Sequence, residues 1–217
     1  MKTASKIYFI SGLGADKRVF ANLRIDHPFQ RHIEWEVPFK TEALQDYCKR
    51  LLAQVDLDSE IILIGVSFGG VIAQEIAKIV PVKKLVIISS IKSEKEKDWQ
   101  LKLSAKLKLH KLFPGAVLKS LNKLTADYYF GIKSKEESSL LKKIIDDADP
   151  VFNTWAIDQI LKWTQTNDQS PLHIHGTIDK IFPISKIKNH IPIKNGGHFM
   201  IFNRADEVSA IINEYLR

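Results

Sequence analysis

A doubly wound α/β fold, with a mostly parallel sheet of about six strands, is what this sequence predicts, and three observations carry the prediction. Short β-branched and aliphatic runs alternate along the chain with amphipathic helical stretches, the pattern of a parallel sheet covered by helices on both faces. One of those runs, Ile61 to Ile64, passes through a glycine-pinched turn directly into a helix. From about residue 92 to 167 the alternation stops, the chain becomes rich in lysine and leucine, and the stretch reads as a helical insertion. With 217 residues, 45% of them hydrophobic and 26% charged, the chain suits a single domain, residues 1–217, that carries this one insertion.

The elements follow in order. Lys6 to Ser11 reads as a first strand, followed by Gly12-Leu13-Gly14-Ala15 and by Asp16, an N-cap for a short helix holding Val19, Phe20 and Leu23. Glycines 12 and 14 after a strand invite a dinucleotide-binding reading, but Lys17 occupies the third glycine position. His32 to Phe39 gives a second strand, ending at Pro38. A helix beginning near Thr41 carries Leu44, Tyr47, Cys48, Leu51, Leu52 and Val55 on one stripe. Ile61 to Ile64 is the continuous apolar run of a strand buried on both faces, and Val71, Ile72, Ile76 and Ile79 then mark a helix ended by Pro81. Lys84 to Ser89 is the fourth strand.

Within the insertion, helices are expected over Trp99–Phe113, around Leu118 to Tyr128, over Glu136–Ile145, and through Phe152, Trp155, Ile160 and Trp163. In the first of these, Leu103 and Leu107 oppose Leu101, Ala105 and Leu112, leaving apolar groups to face a substrate or a partner. Pro171 to Gly176 resumes the sheet, His190 to Lys194 closes it, and Asn203 caps a last helix through Val208, Ile211, Ile212 and Leu216.

Composition excludes several classes. No run of eighteen apolar residues exists, so no membrane span is expected. The apolar stretch after Lys2 and Lys6 is too short for a signal peptide, and Cys48 is the only cysteine, which excludes an internal disulfide and fits a reducing, cytoplasmic setting. Cys48 lies on the apolar stripe of its helix and reads as core. Net charge is +7, and the segment from Lys92 to Lys143, with 13 lysines, no arginine and 6 acids, carries all of that excess. Specific phosphate or base recognition favours arginine's planar fork, so these lysines read as a solvated surface and no nucleic-acid partner is expected.

The chemistry concentrates at Gly65-Val66-Ser67-Phe68-Gly69-Gly70, a G-x-S-x-G pattern. A strand turning sharply into a helix holds its central residue in a strained backbone, and side chains at 65 and 69 would collide there. Ser67, Asp179 and His198 each follow a separate strand, in the order nucleophile, acid, base, and loops after parallel strands gather at one sheet edge. A hydroxyl is a poor nucleophile until an imidazole takes its proton and a carboxylate orients that imidazole. Asp158 and Asp168 are alternative acids, but neither follows a strand. His173 and His175 share a strand face and with His198 raise a metal reading; the partner spacing for one is missing, and His175 reads instead as a support for the acid loop. Neither a metal nor a cofactor is expected.

Taken together, GVSFGG, HGTIDKIFP and NGGHFM resemble the nucleophile elbow, acid loop and histidine loop of the α/β-hydrolase family, over nearly the whole chain. The resemblance implies a Ser67–His198–Asp179 triad, an oxyanion hole made by the backbone amides of Leu13 and Phe68, a sheet lacking the family's two leading strands, and a helical lid over about 92–167. Ser11 stands where the family carries a histidine before its glycine. The implied activity is hydrolysis of carboxylic esters or thioesters through an acyl-enzyme, on a small-molecule substrate. A triad-bearing small-molecule receptor whose lid recruits a partner is the alternative. Serine at position 67 disfavours a dehalogenase, which uses aspartate there. The sequence assigns no oligomeric state, acyl group or leaving group.

Overall fold

The structure, a computed structural model, describes residues 3–97, 125–165 and 170–217. Six parallel strands form one sheet: β1 (Thr3–Ile10), β2 (Gln30–Ile33), β3 (Ser59–Val66), β4 (Lys84–Ile88), β5 (Leu172–Gly176) and β6 (Ile191–Ile193), in the order β2-β1-β3-β4-β5-β6. Helices follow them: α1 (Leu44–Leu51), α2 (Phe68–Ile79), α3 (Lys135–Asp147), α4 (Pro150–Lys162), α5 (Met200–Asn203) and α6 (Ala205–Leu216). Among the described residues, no helix is long and apolar enough to cross a membrane.

Side chains alternate across a strand, and here both faces are covered. On β3, Ile61 and Leu63 join Tyr8 and Ile10 of β1 under α1 and α2, in a core that also takes Tyr47, Leu51, Ile72 and Ile76. Ile62, Ile64 and Val66 face the other way with Ile7, Phe9, Val86 and Ile88, against Val208 and Ile212 of α6. That two-sided burial explains the unbroken apolar run at the centre of the sheet. Cys48, fully buried in the first core, is a packing residue, and burial pushes its thiol pKa up.

From β1 the chain goes outward to β2, whereas from β3 it goes the opposite way to β4. The sheet's switch point therefore lies between neighbours β1 and β3, where the two following loops diverge and leave a crevice. The loop after β1 begins at Ser11, and the turn after β3 is centred on Ser67.

Three expectations are corrected. The second strand covers Gln30–Ile33 rather than His32–Phe39, because β1 ends at Ile10, the partner of Ile33, and offers no further ladder. Beyond it, Glu34 N–H donates instead to the Gln54 side chain, and Val37 and Phe39 are exposed. Asn203 does not cap the closing helix: its Nδ2 donates to Glu137 Oε2, while the helical run is interrupted at Arg204, the N-cap residue of α6. The helix expected to begin near Thr41 begins at Leu44, with Ala43 at its N-cap.

Between β4 and β5, residues 125–130, α3 and α4 are helical, and no strand occurs among the described residues. Ser134 and Asp149 cap α3 and α4, accepting from the backbone N–H of Glu137 and Phe152. The helix expected over Trp99–Phe113, with Leu103 and Leu107, and most of the next one, lie outside the described residues, as does Asp168.

Candidate active site

Ser67 sits between the last residue of β3 and the first of α2, with φ 53° and ψ −118°, a backbone region a non-glycine residue rarely enters. A Cβ at Gly65 would overlap the Gly69 carbonyl, and one at Gly69 would overlap the carbonyls of Ile10 and Ser11. The two glycines thus bring elbow, helix and first-strand loop into contact. The turn is held from the next strand: Ser67 N–H donates to Ile88 O at 2.9 Å, and Ser90 Oγ donates to Ser67 O at 2.7 Å. No motif marks Ser90 in the sequence.

Asp179 follows β5 and is 4% exposed. Its Oδ1 accepts from Ile181 N–H (2.8 Å) and Phe182 N–H (2.9 Å), and its Oδ2 lies 2.8 Å from His198 Nδ1. Burial by itself would push this carboxyl up, yet the charge and hydrogen bond of His198, helped by His175 and Phe182 N–H, outweigh it and hold the pKa below the usual carboxylate value. A carboxylate at Nδ1 fixes that nitrogen as a donor, which leaves Nε2 to accept. Ser67 Oγ lies 3.0 Å from it. The imidazole meets the rings of Phe130 and Phe182 at steep interplanar angles, and Phe199 N–H donates to Phe130 O at 3.0 Å, so residues before α3 pack onto the histidine loop.

The structure thus brings the three residues that the sequence singled out within hydrogen-bond distance of one another, Asp179 to His198 to Ser67. Asp158 does not join them; that carboxylate pairs with Lys162 on α4. His175 donates from Nε2 to Phe182 O at 2.8 Å and lies 3.7 Å from Asp179 Oδ2, bracing the loop that presents the acid. Its Nδ1 is 3.2 Å from His173 Nε2, so these two rings are committed to each other. Burial drives both histidine pKa values down, His173 to about 2. Among the described residues, no three His, Cys, Asp or Glu side chains are grouped to hold a metal ion.

The loop after β1 is equally fixed. Ser11 Oγ donates to Ala15 O at 2.7 Å, and Gly12 O accepts from Ala15 N–H (3.0 Å) and from Trp35 Nε1–H (3.2 Å). With the Gly12 carbonyl so engaged, the planar trans peptide turns the Leu13 N–H the opposite way. Ser11, where the resemblance led to expect a histidine, is thus the clasp of this loop. Trp35 lies beyond β2, and no spacing rule links it to Gly12.

Ser67, His198, Leu13 and Phe68 open onto a cavity of about 520 Å³. Its other described walls are mainly apolar: Val19, Ile91, Phe130, Leu141, Ile144 and Ile157 among them. A hydroxyl poised on an imidazole, facing an apolar chamber of small-molecule size, is equipped for nucleophilic attack on a bound carbonyl.

Neither a protein-family model nor a curated protein sequence matches the chain. Solved structures do. A thermophilic esterase from Thermogutta terrifontis is 16% identical, with a TM-score of 0.68 over 100% of this chain and 90% of that one. A structure from a study of carboxylesterases of Nitrososphaera gargenis is 15% identical, with a TM-score of 0.71 over 100% and 91%. An α/β-hydrolase fold protein from Burkholderia ambifaria is 10% identical, with a TM-score of 0.67 over 99% and 92%. At such identities the likeness establishes the fold, which the six-stranded parallel sheet shares.

Proposed function

We propose that this chain, which has the α/β-hydrolase fold, is a serine hydrolase that cleaves carboxylic esters or thioesters through an acyl-enzyme. The observation that carries the reading is the relay from Asp179 through His198 to Ser67, ending at the cavity. Ser67 Oγ attacks the ester carbonyl as His198 Nε2 takes its proton, and the Asp179 carboxylate stabilises the imidazolium. Leu13 and Phe68 N–H groups receive the oxyanion, each such donor contributing about 3 kcal/mol to the transition state. Collapse expels the alcohol or thiol with the proton from His198. Water, activated by the same imidazole, then releases the acid.

In this reading the insertion, about residues 92–167, is a lid, since Phe130, Leu141 and Ile144 wall the cavity beside the catalytic residues. Its apolar walls favour acyl chains longer than acetate. The structural neighbours named as esterases are consistent with the reaction class.

A fluorophosphonate probe and a graded series of p-nitrophenyl esters and acyl-CoA thioesters test the proposal together. Wild-type protein should be labelled once and turn over an ester or thioester with an initial burst, and Ser67→Ala should do neither while keeping its circular dichroism. Labelling of the alanine variant, or a folded wild type inert to every substrate, would overturn it; the second result would favour a triad-bearing binding protein.

A further inference from the structure

Two peptides beside Ser67 are held from behind in the same way. In a planar trans peptide the carbonyl and the N–H point in opposite directions, so whatever fixes Gly12 O aims Leu13 N–H, and whatever fixes Ser67 O aims Phe68 N–H. Each of these carbonyls accepts one bond from its own turn and one from a side chain elsewhere in the fold. Gly12 O accepts from Ala15 N–H at 3.0 Å and from Trp35 Nε1–H, beyond β2, at 3.2 Å. Ser67 O accepts from Gly70 N–H at 3.0 Å and from Ser90 Oγ–H, just past β4, at 2.7 Å.

Both side chains are built into these positions. Ser90 is fully buried, and a Cβ at Gly70 would overlap its Oγ, so the glycine at 70 keeps open the path from Ser90 to Ser67 O. Trp35 lays its ring against Phe68 and Phe152, with centroids 5.8 and 4.9 Å away, which fixes the direction of its N–H. A hold matters most at Ser67, because its φ of 53° and ψ of −118° are strained and ψ sets the tilt of the peptide that carries Phe68 N–H. Phe68 is the first residue of α2, so that N–H has no carbonyl to meet within the helix.

We infer that Trp35 and Ser90 are positioning residues for the oxyanion hole, each holding the carbonyl of one peptide so that its N–H meets the developing oxyanion. This assignment rests on the hydrolase reading, with Leu13 and Phe68 as the two donors. Such donors accelerate a reaction only when they are aimed before it begins. A carbonyl that accepts hydrogen bonds also makes the N–H of its own peptide a stronger donor. Neither side chain needs to touch the substrate to act in this way.

The test compares a p-nitrophenyl ester with its thiono counterpart, in which sulfur replaces the carbonyl oxygen and draws little on the hole while still requiring Ser67 and His198. Acylation is followed in single turnover with excess enzyme, so that slow reactions are also measured. Ser90→Ala and Trp35→Phe should each slow acylation by the oxygen ester about tenfold or more, with half-saturation within about twofold. The oxygen-to-sulfur rate ratio should fall by a similar factor. Replacing the Trp35 indole with benzothiophene, which keeps the shape and loses the N–H, serves if Trp35→Phe does not fold, and Ser90→Cys serves likewise for Ser90→Ala, with a smaller fall expected because a thiol is a weak donor. For either residue, unchanged acylation, or a loss shared equally by the two esters, overturns its assignment. Fluorophosphonate labelling and ester turnover by the wild type report the underlying reading. If the wild type does both and the variants keep its rate ratio, this inference alone fails; if the wild type does neither, both fail.

Discussion

Three side chains carry the proposed chemistry, and each is placed by its backbone more than by its neighbours in sequence. Ser67, Asp179 and His198 were legible because their backbone demands leave marks: glycines where side chains would collide, an acid just past a strand, a histidine in a glycine-rich loop. Ser90 and Trp35 were not legible. Each acts through one hydrogen bond to a carbonyl of a distant loop, and such a bond depends on where the sheet brings the loops together. The acid is the residue whose role is easiest to isolate. In Asp179→Asn the two N–H donors of Ile181 and Phe182 still find an oxygen, but the side chain no longer fixes Nδ1 of His198 as the donor, and the imidazole takes the wrong tautomer. Turnover should fall by about 10⁴-fold while labelling slows and folding persists. Single-turnover kinetics with an activated ester measure this; a loss under tenfold would assign the acid elsewhere.

Among elements, periodicity located every strand of the sheet, and it failed where a partner strand or a second turn decided the boundary. β2 stops early since β1 ends, and the last helix is broken at Arg204, neither of which leaves a mark in the local pattern. Two tryptophans of the insertion illustrate the same limit. The spacing places Trp155 and Trp163 only on an expected helix, yet both tie α4 and its end to the main fold through polar bonds. Trp155 Nε1 donates to Glu42 O at 2.9 Å, and Trp163 Nε1 donates to Glu75 Oε1 at 2.6 Å, beside Lys78 Nζ at 2.5 Å. Glu75 is only 3% exposed, on the helix that starts just after Ser67. Trp163→Phe keeps the ring packing and removes one of the partners of this buried carboxylate. It should cost about 1–3 kcal/mol in urea unfolding, and Glu75→Gln should recover part of the loss in the double variant because a neutral amide needs less compensation. Equal stability of Trp163→Phe and wild type would show that the bond contributes nothing.

For the whole molecule, the buried histidine pair couples the stability of the fold to pH. His173 is 1% exposed and His175 is fully buried, both on β5, and both are held neutral by burial; Asp179 favours the charged form of His175 without reversing its shift. In the unfolded chain each titrates near 6.5. A histidine whose folded pKa is depressed stabilises the fold fully above the unfolded pKa, and this contribution is lost as pH falls toward the folded one, because protons bind the unfolded chain preferentially. For His173, with a folded value of about 2, the loss continues through the whole acidic range. It amounts to about 2 kcal/mol between pH 7 and pH 5, and His175 adds to it in the same direction. The lowered carboxyl of Asp179 acts later: its stabilisation holds above about pH 4 and weakens only below that. Urea midpoints should therefore be level from pH 8 to pH 7, fall steadily from pH 6.5 to pH 5, and steepen again below pH 4. Substituting His173 by leucine should remove part of the slope between pH 6.5 and pH 5 even if it lowers the plateau, since the slope reports protons taken up and the plateau reports packing. A wild type equally stable at pH 7 and pH 5 would mean that β5 admits a charged histidine and that the acid loop is braced by some means other than this pair.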